Sequence, residues 1–201
     1  MKKLLLLCFA FALLLVPAFT FAASCDSTED EYFIKFTFEG EEYTCSFGHP
    51  DSEVDVPYAA VTTSLPIAAL NGPLEFIQFF GATWDPTSSE DPSFLIQVGG
   101  RLYVFTAGEY TGEYALPELG TVWIWIMDGE AFYYYMASEG SITIDSFGEI
   151  GEAIEGSFNA TFTLSGDFVV PAGIGDDNQT VTGTFRVKRI SEEDLPEPEI
   201  N

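Results

Sequence analysis

The chain has 201 residues, with 32 Asp and Glu against 7 Lys and Arg, one His, and a formal net charge of -25. That charge repels a phosphate backbone and anionic lipid headgroups, which argues against nucleic acid as a partner and against adhesion through a basic patch. Aromatics, at 15%, are too frequent for a disordered acidic chain, and one His with 3 Cys cannot build the usual zinc, haem or iron–sulfur sites.

The first 24 residues read as an export signal. Met1-Lys2-Lys3 is a short positive start, Leu4 to Val16 is apolar throughout, and Pro17 breaks the run. Small residues follow at Ala22, Ala23 and Ser24, completing the tripartite pattern of a signal peptide over 1–24. Two lysines and no acid belong to this segment, so the remainder is more acidic than the whole. Ala22-Ala23-Ser24-Cys25 resembles a bacterial lipobox, with Ala22 where Leu is usual. On that reading Cys25 is lipidated, and residues 25–31 form an acidic spacer between lipid and domain. Cleavage after Ala22 or Ala23 would instead leave Cys25 free to form a disulfide with Cys45. Both readings place the protein outside the cytoplasm, and a lipid anchors a domain without a membrane-spanning helix.

Past residue 31 no convincing amphipathic helix is seen. Tyr32 to Phe38 alternates apolar and polar, Glu39-Gly40-Glu41 supplies a turn, and Glu42 to Phe47 returns, predicting a β-hairpin. Gly48-His49-Pro50-Asp51 ends it with turn chemistry. Strands are predicted over Tyr58–Ser64 and Leu74–Phe80. Ser93–Val98 and Leu102–Thr106 flank Gly99-Gly100, which reads as a short hairpin turn. The strongest hairpin joins Thr121–Met127 to Ala131–Met136 through Asp128-Gly129, and its first strand is apolar on both faces. That suits a central strand, or one with an aromatic face left for a partner. Ser141–Ile144 is a further short strand. Ile154-Glu-Gly-Ser-Phe158 is then echoed by Val181-Thr-Gly-Thr-Phe185, which reads as two neighbouring antiparallel strands entered by the same glycine bend. Ser191 to Asn201 is acidic, carries two prolines and is expected to be disordered.

This density of short strands predicts a single all-β domain over 32–190. An antiparallel β-sandwich is the first expectation and a small closed β-barrel the alternative. The layout resembles a loose group of uncharacterised bacterial cell-envelope β-sandwich lipoproteins. The resemblance rests on the signal and Cys25, the turn from Phe36 to Tyr43, Gly108-Glu-Tyr110 and Gly112-Glu-Tyr114. It also rests on Gly140 to Ile144, and on the Gly-x-Phe strands at Gly156 and Gly183. It implies a sandwich and a lipid anchor, and it carries no catalytic residue across.

Candidates for chemistry are few. His49 lies in a turn and has no second His to join it. Paired carboxylates need none, and Glu130, Glu139 and Glu155 stand near predicted strand ends, although a solvated surface acid is the ordinary reading. Asp176, Asp177 and Asn178 could offer oxygens to calcium, but their spacing is not that of an EF-hand loop or of the nonapeptide calcium repeats, and a solvated hairpin loop is the ordinary reading. Trp123, Trp125, Tyr133 and Tyr135 could form a stacking platform for a sugar or protein, or could be core. The sequence therefore predicts an exported, lipid-anchored or secreted, monomeric envelope protein. It acts as a non-enzymatic binding or structural module for an unknown envelope or extracellular ligand. No catalytic residue and no cofactor beyond weak calcium are expected, and membrane contact runs only through the lipid. The alternative is a carbohydrate-active enzyme, a paired-carboxylate glycosidase.

Overall fold

The alternation of apolar and polar residues fixes ten strands in the computed structural model, which describes residues 31–49, 51–66, 73–85, 87–89, 92–129, 131–165 and 178–196. They are β1 (Phe33–Phe38), β2 (Glu41–Cys45), β3 (Tyr58–Pro66), β4 (Pro73–Ala82), β5 (Phe94–Val104), β6 (Gly112–Leu116), β7 (Gly120–Asp128), β8 (Ala131–Phe147), β9 (Ala153–Leu164) and β10 (Asn178–Ile190). A short 3-10 turn, Glu192–Asp194, follows. The fold is all-β. β3, β4, β5, β7, β8, β9 and β10 pair in that order and β10 returns to β3, so seven strands close a barrel. The closed alternative is thus the architecture found, with β1, β2 and β6 added outside the ring.

Closure depends on one shared edge. β9 lines one side of β10 from Asn178 to Lys188. On the other side β1 pairs antiparallel with Thr182–Arg186, and β3 pairs parallel with Lys188–Ile190. β1 and β2 therefore fill the gap where β10 and β3 diverge. Past β2, the amides of Ser46 and Phe47 donate to the Ala82 carbonyl at 3.0 and 3.1 Å, and the Ala82 amide donates to Phe47 at 2.8 Å. That tie carries the wall across to β4 and leaves fewer open strand edges.

Side chains at every second position fill the interior. On β7 these are Val122, Ile124 and Ile126, with Ile124 0% exposed. Burying an aliphatic or Phe side chain of this kind contributes about 1.5–3 kcal/mol. Phe38 meets Tyr135 edge-on at 5.3 Å, and Phe36 meets Phe158 at 6.5 Å, joining β1 to β8 and β9. Between β5 and β6, Tyr110 stacks on Phe147 at 4.3 Å and donates from its hydroxyl to Glu75 at 3.1 Å. Arg189 lies over the same Phe147 ring and donates to the Gly148 carbonyl at 2.7 Å.

Several expectations are corrected by this geometry. Gly99-Gly100 is not a turn, because β5 runs straight through it. A Cβ on Gly99 would fall 2.2 Å from the Trp123 ring, and one on Gly100 would fall 2.6 Å from the Phe79 ring. These glycines make room for rings from neighbouring strands. Ser141–Ile144 is the second half of the long β8 rather than a separate strand. Asp128 pairs with Ala131, so the β7–β8 corner begins at Gly129, which has φ +60°. The β1–β2 turn is Glu39-Gly40, with φ of 52° and 84°, as a two-residue hairpin of the primed kind requires. The tail is ordered further than expected. Ser191 caps the turn at Glu192–Asp194, accepting from the Glu193 amide, and Leu195 packs beside Tyr58 and Phe80. The described residues of the tail end at Pro196, and residues 197–201 lie outside them.

Candidate functional site

The outer face of the β3–β4–β5–β7 wall carries side chains that a solvated face does not ordinarily need. Its register sets them in rows. Tyr58, Phe80, Gly99 and Trp123 stand opposite one another on the four strands. The next row is Ala60, Gln78, Arg101 and Thr121. The row after that is Thr62, Phe76 and Tyr103. An aromatic row, a polar row and a second aromatic row thus succeed one another. Phe76 and Phe80 are four residues apart on β4, about 13 Å at strand rise. A groove of about 870 Å³ runs over these rows, and Glu192, Glu193, Leu195 and Pro196 of the carboxy-terminal segment form one bank.

The rings are held by one another. Trp123 lies over Gly99 and contacts Phe80 at 5.8 Å and Trp125 at 5.3 Å. Phe80 also stacks with Tyr58 at 6.3 Å and receives the edge of His49 at 4.6 Å. Phe76 meets Tyr103 edge-on at 5.5 Å. The polar row is equally fixed. Gln78 donates from its amide nitrogen to the Thr62 hydroxyl at 2.9 Å and accepts from Arg101 at 3.0 Å. The Arg101 guanidinium lies 5.0 Å over the Phe76 ring, a cation–π contact. Its neighbour is therefore an amide and a ring rather than a carboxylate. Burial pushes the Tyr58 hydroxyl up to about 12, offset in part by a hydrogen bond with Ser52, so it stays protonated.

The predicted stacking platform is divided. Trp123 and Trp125 face outward, Trp125 being 39% exposed, whereas Tyr133 and Tyr135 are buried inside the barrel. The correction follows from register. Trp125 stands opposite Tyr134 and Ile126 opposite Tyr133, so the odd-numbered tryptophans share their face with even-numbered residues of β8. Phe132 and Tyr134 are the true neighbours, meeting Trp125 edge-on at 5.4 and 5.7 Å. Phe76, Gln78, Phe80, Arg101 and Tyr103 were not anticipated as site residues. Their period-two placement on β4 and β5 was the available signal.

The other candidates do not converge on this groove. Glu139 stands opposite Thr161, and Glu155 lies six residues earlier on β9. That is a separation of about 20 Å at strand rise, beyond the about 5–9.5 Å that glycosidase carboxylates span. Glu155 is engaged by Arg186. Asn178 is exposed and accepts from the Thr163 hydroxyl at 2.9 Å. Asp176, Asp177 and Glu130 lie outside the described residues. Among the described residues no group of three His, Cys, Asp or Glu could hold a metal. His49 accepts from the Asp51 amide at 3.1 Å, and burial lowers its pKa against the opposing pull of the Asp51 carboxylate. Cys45 is a free, fully buried thiol, and Cys25 lies outside the described residues. Among the described residues no helix is long and apolar enough to cross a membrane. Comparison of the chain with known protein families, curated proteins and solved structures finds no match.

Proposed function

We propose that this chain is an exported, non-enzymatic binding module of the cell envelope, lipid-anchored through Cys25 or secreted, whose ligand surface is the groove on the outer wall. The observation that carries the reading is the composition of that wall. Phe76, Tyr103, Trp123 and Trp125 are half-buried or exposed on the outside of a closed barrel, with Tyr58 and Phe80 buried among them, and a contiguous aromatic patch in that place marks an interaction site. The chain has 32 acids, yet none occupies these rows. Export and anchoring are supported by the positive start, the apolar run and the lipobox-like Ala22 to Cys25. The non-enzymatic reading is supported by the groove's carboxylates. Those among its lining residues, Glu192 and Glu193, are adjacent in one turn, so both approach from one bank.

Two measurements test the proposal. Metabolic labelling with a fatty acid should mark the wild type and not Cys25→Ala; absence of label leaves the secreted form. Incubation with a polysaccharide panel should release no reducing ends. Release abolished by Glu192→Gln, Glu193→Gln or Glu139→Gln would replace the binding module with a glycosidase.

A further inference from the structure

We infer that the groove binds an uncharged glycan, stacked on its two aromatic rows and hydrogen-bonded to the polar row between them. This rests on the reading of the groove as the binding surface and names its ligand class. A pyranose ring presents an apolar face of C–H groups and a rim of hydroxyls. The apolar face suits a flat ring beneath it, and the rim suits planar donors beside it. The groove supplies both in alternation. Trp123 offers one ring, backed by the buried Phe80; Tyr103, edge-on to Phe76, offers the other, and Arg101 and Thr121 stand between them. Pockets for small polar ligands follow this pattern of aromatic lining with a few fixed polar groups.

The donor inventory favours sugar hydroxyls. Arg101 carries five N–H donors in a planar fork. One donates to Gln78, and the guanidinium lies 5.0 Å over the Phe76 ring. The remaining donors are therefore oriented in advance and are not consumed by a carboxylate of the described residues. Charge selects among glycans. The net charge of -25 and the exposed Glu192 and Glu193 on the bank oppose a polyanion. Geometry disfavours a peptide strand, because the groove lies on the faces of β3, β4, β5 and β7, whose backbone bonds are already made within the barrel.

The test is affinity electrophoresis of the full exported chain in gels carrying hydroxyethylcellulose, galactomannan or laminarin. Polygalacturonate serves as the anionic probe, and poly-L-proline is titrated separately against tryptophan fluorescence. Retardation by at least one uncharged polysaccharide is expected, with none by polygalacturonate. Trp123→Ala and Arg101→Lys should each weaken it by about tenfold, the effect of removing one stacked or forked contact. Arg101→Lys keeps the charge and sits on the outer wall, so it remains informative if Trp123→Ala unfolds. No retardation by any uncharged polysaccharide, or preference for polygalacturonate, overturns the glycan assignment. Poly-L-proline binding that both variants weaken would remove the glycan and keep the groove. Glycan binding that neither variant weakens would remove the groove as its site.

Discussion

The ring of Phe158 occupies the space that a side chain on Gly183 would fill. Phe185 does the same to Gly156, so two strands of like sequence cover each other's glycines. Each Gly-x-Phe motif is read by its antiparallel copy.

Gly183→Ala should therefore be costly. Its Cβ would stand 2.5 Å from the Phe158 ring and 2.4 Å from the Lys35 carbonyl oxygen. Overpacking of this kind costs about 1–3 kcal/mol. Urea unfolding should show that loss. Adding Phe158→Leu should recover only part of it, because the β1 carbonyl stays in place. Full recovery would show that the ring alone sets the requirement.

Tyr133 and Tyr114 should respond oppositely to loss of their hydroxyls. The Tyr133 hydroxyl is buried with no hydrogen-bond partner among the described residues. The Tyr114 hydroxyl donates to the Tyr110 carbonyl at 2.8 Å. Tyr133→Phe should leave stability unchanged or raise it by about 1 kcal/mol, whereas Tyr114→Phe should lower it by about 1 kcal/mol. Thermal unfolding of both variants decides the matter, and a destabilised Tyr133→Phe would mean that the hydroxyl has an ordered water.

Cys45 should be inert in the folded protein. Burial pushes its thiol up to about 12, so almost no thiolate exists between pH 7 and pH 9. Modification by a disulfide reagent should be slow at pH 8 and should rise with urea in step with unfolding. Rapid labelling without urea would contradict the burial of this thiol.

His49 should weaken the fold as the solution is acidified. Its pKa lies below the ordinary 6.5, chiefly because of burial, so the unfolded chain takes up the proton first. The favourable state is complete above about 6.5 and is lost as pH falls from there through the lower folded value. His49→Asn, compared with wild type between pH 7.5 and pH 5, should remove that part of the acid sensitivity. An NMR titration should place the His49 midpoint below 6.5.

Much of the fold was legible in the chain, and the failures have physical causes. Apolar patterning and turn residues pointed to nine of the strands, β7 by its apolar run and Asp128-Gly129 rather than by alternation. Gly99-Gly100 was misread because paired glycines serve turns and ring clearance equally well, and only the presence of Trp123 and Phe79 overhead decides between them. The site was half legible. A two-residue turn always sets odd positions of one strand against even positions of the next. Trp123 and Trp125 therefore had to share a face with Phe132 and Tyr134, whichever two residues make the turn. Counting parity would have found this. Bringing Phe76, Gln78 and Arg101 beside Trp123 needed the order β4-β5-β7, which local sequence does not encode.

The edge that β10 shares has a consequence in time. A chain made from its amino terminus finishes β1 first, yet Phe33 pairs with Arg186, and β3 also waits for Lys188 to Ile190. The barrel cannot close while its last strand is still being synthesised. Closure that joins the two ends of a chain is slow to nucleate. This protein must therefore stay open until its carboxy-terminal strand arrives. Until then, mutual repulsion among its 32 acids opposes the pairing of unfinished copies with one another.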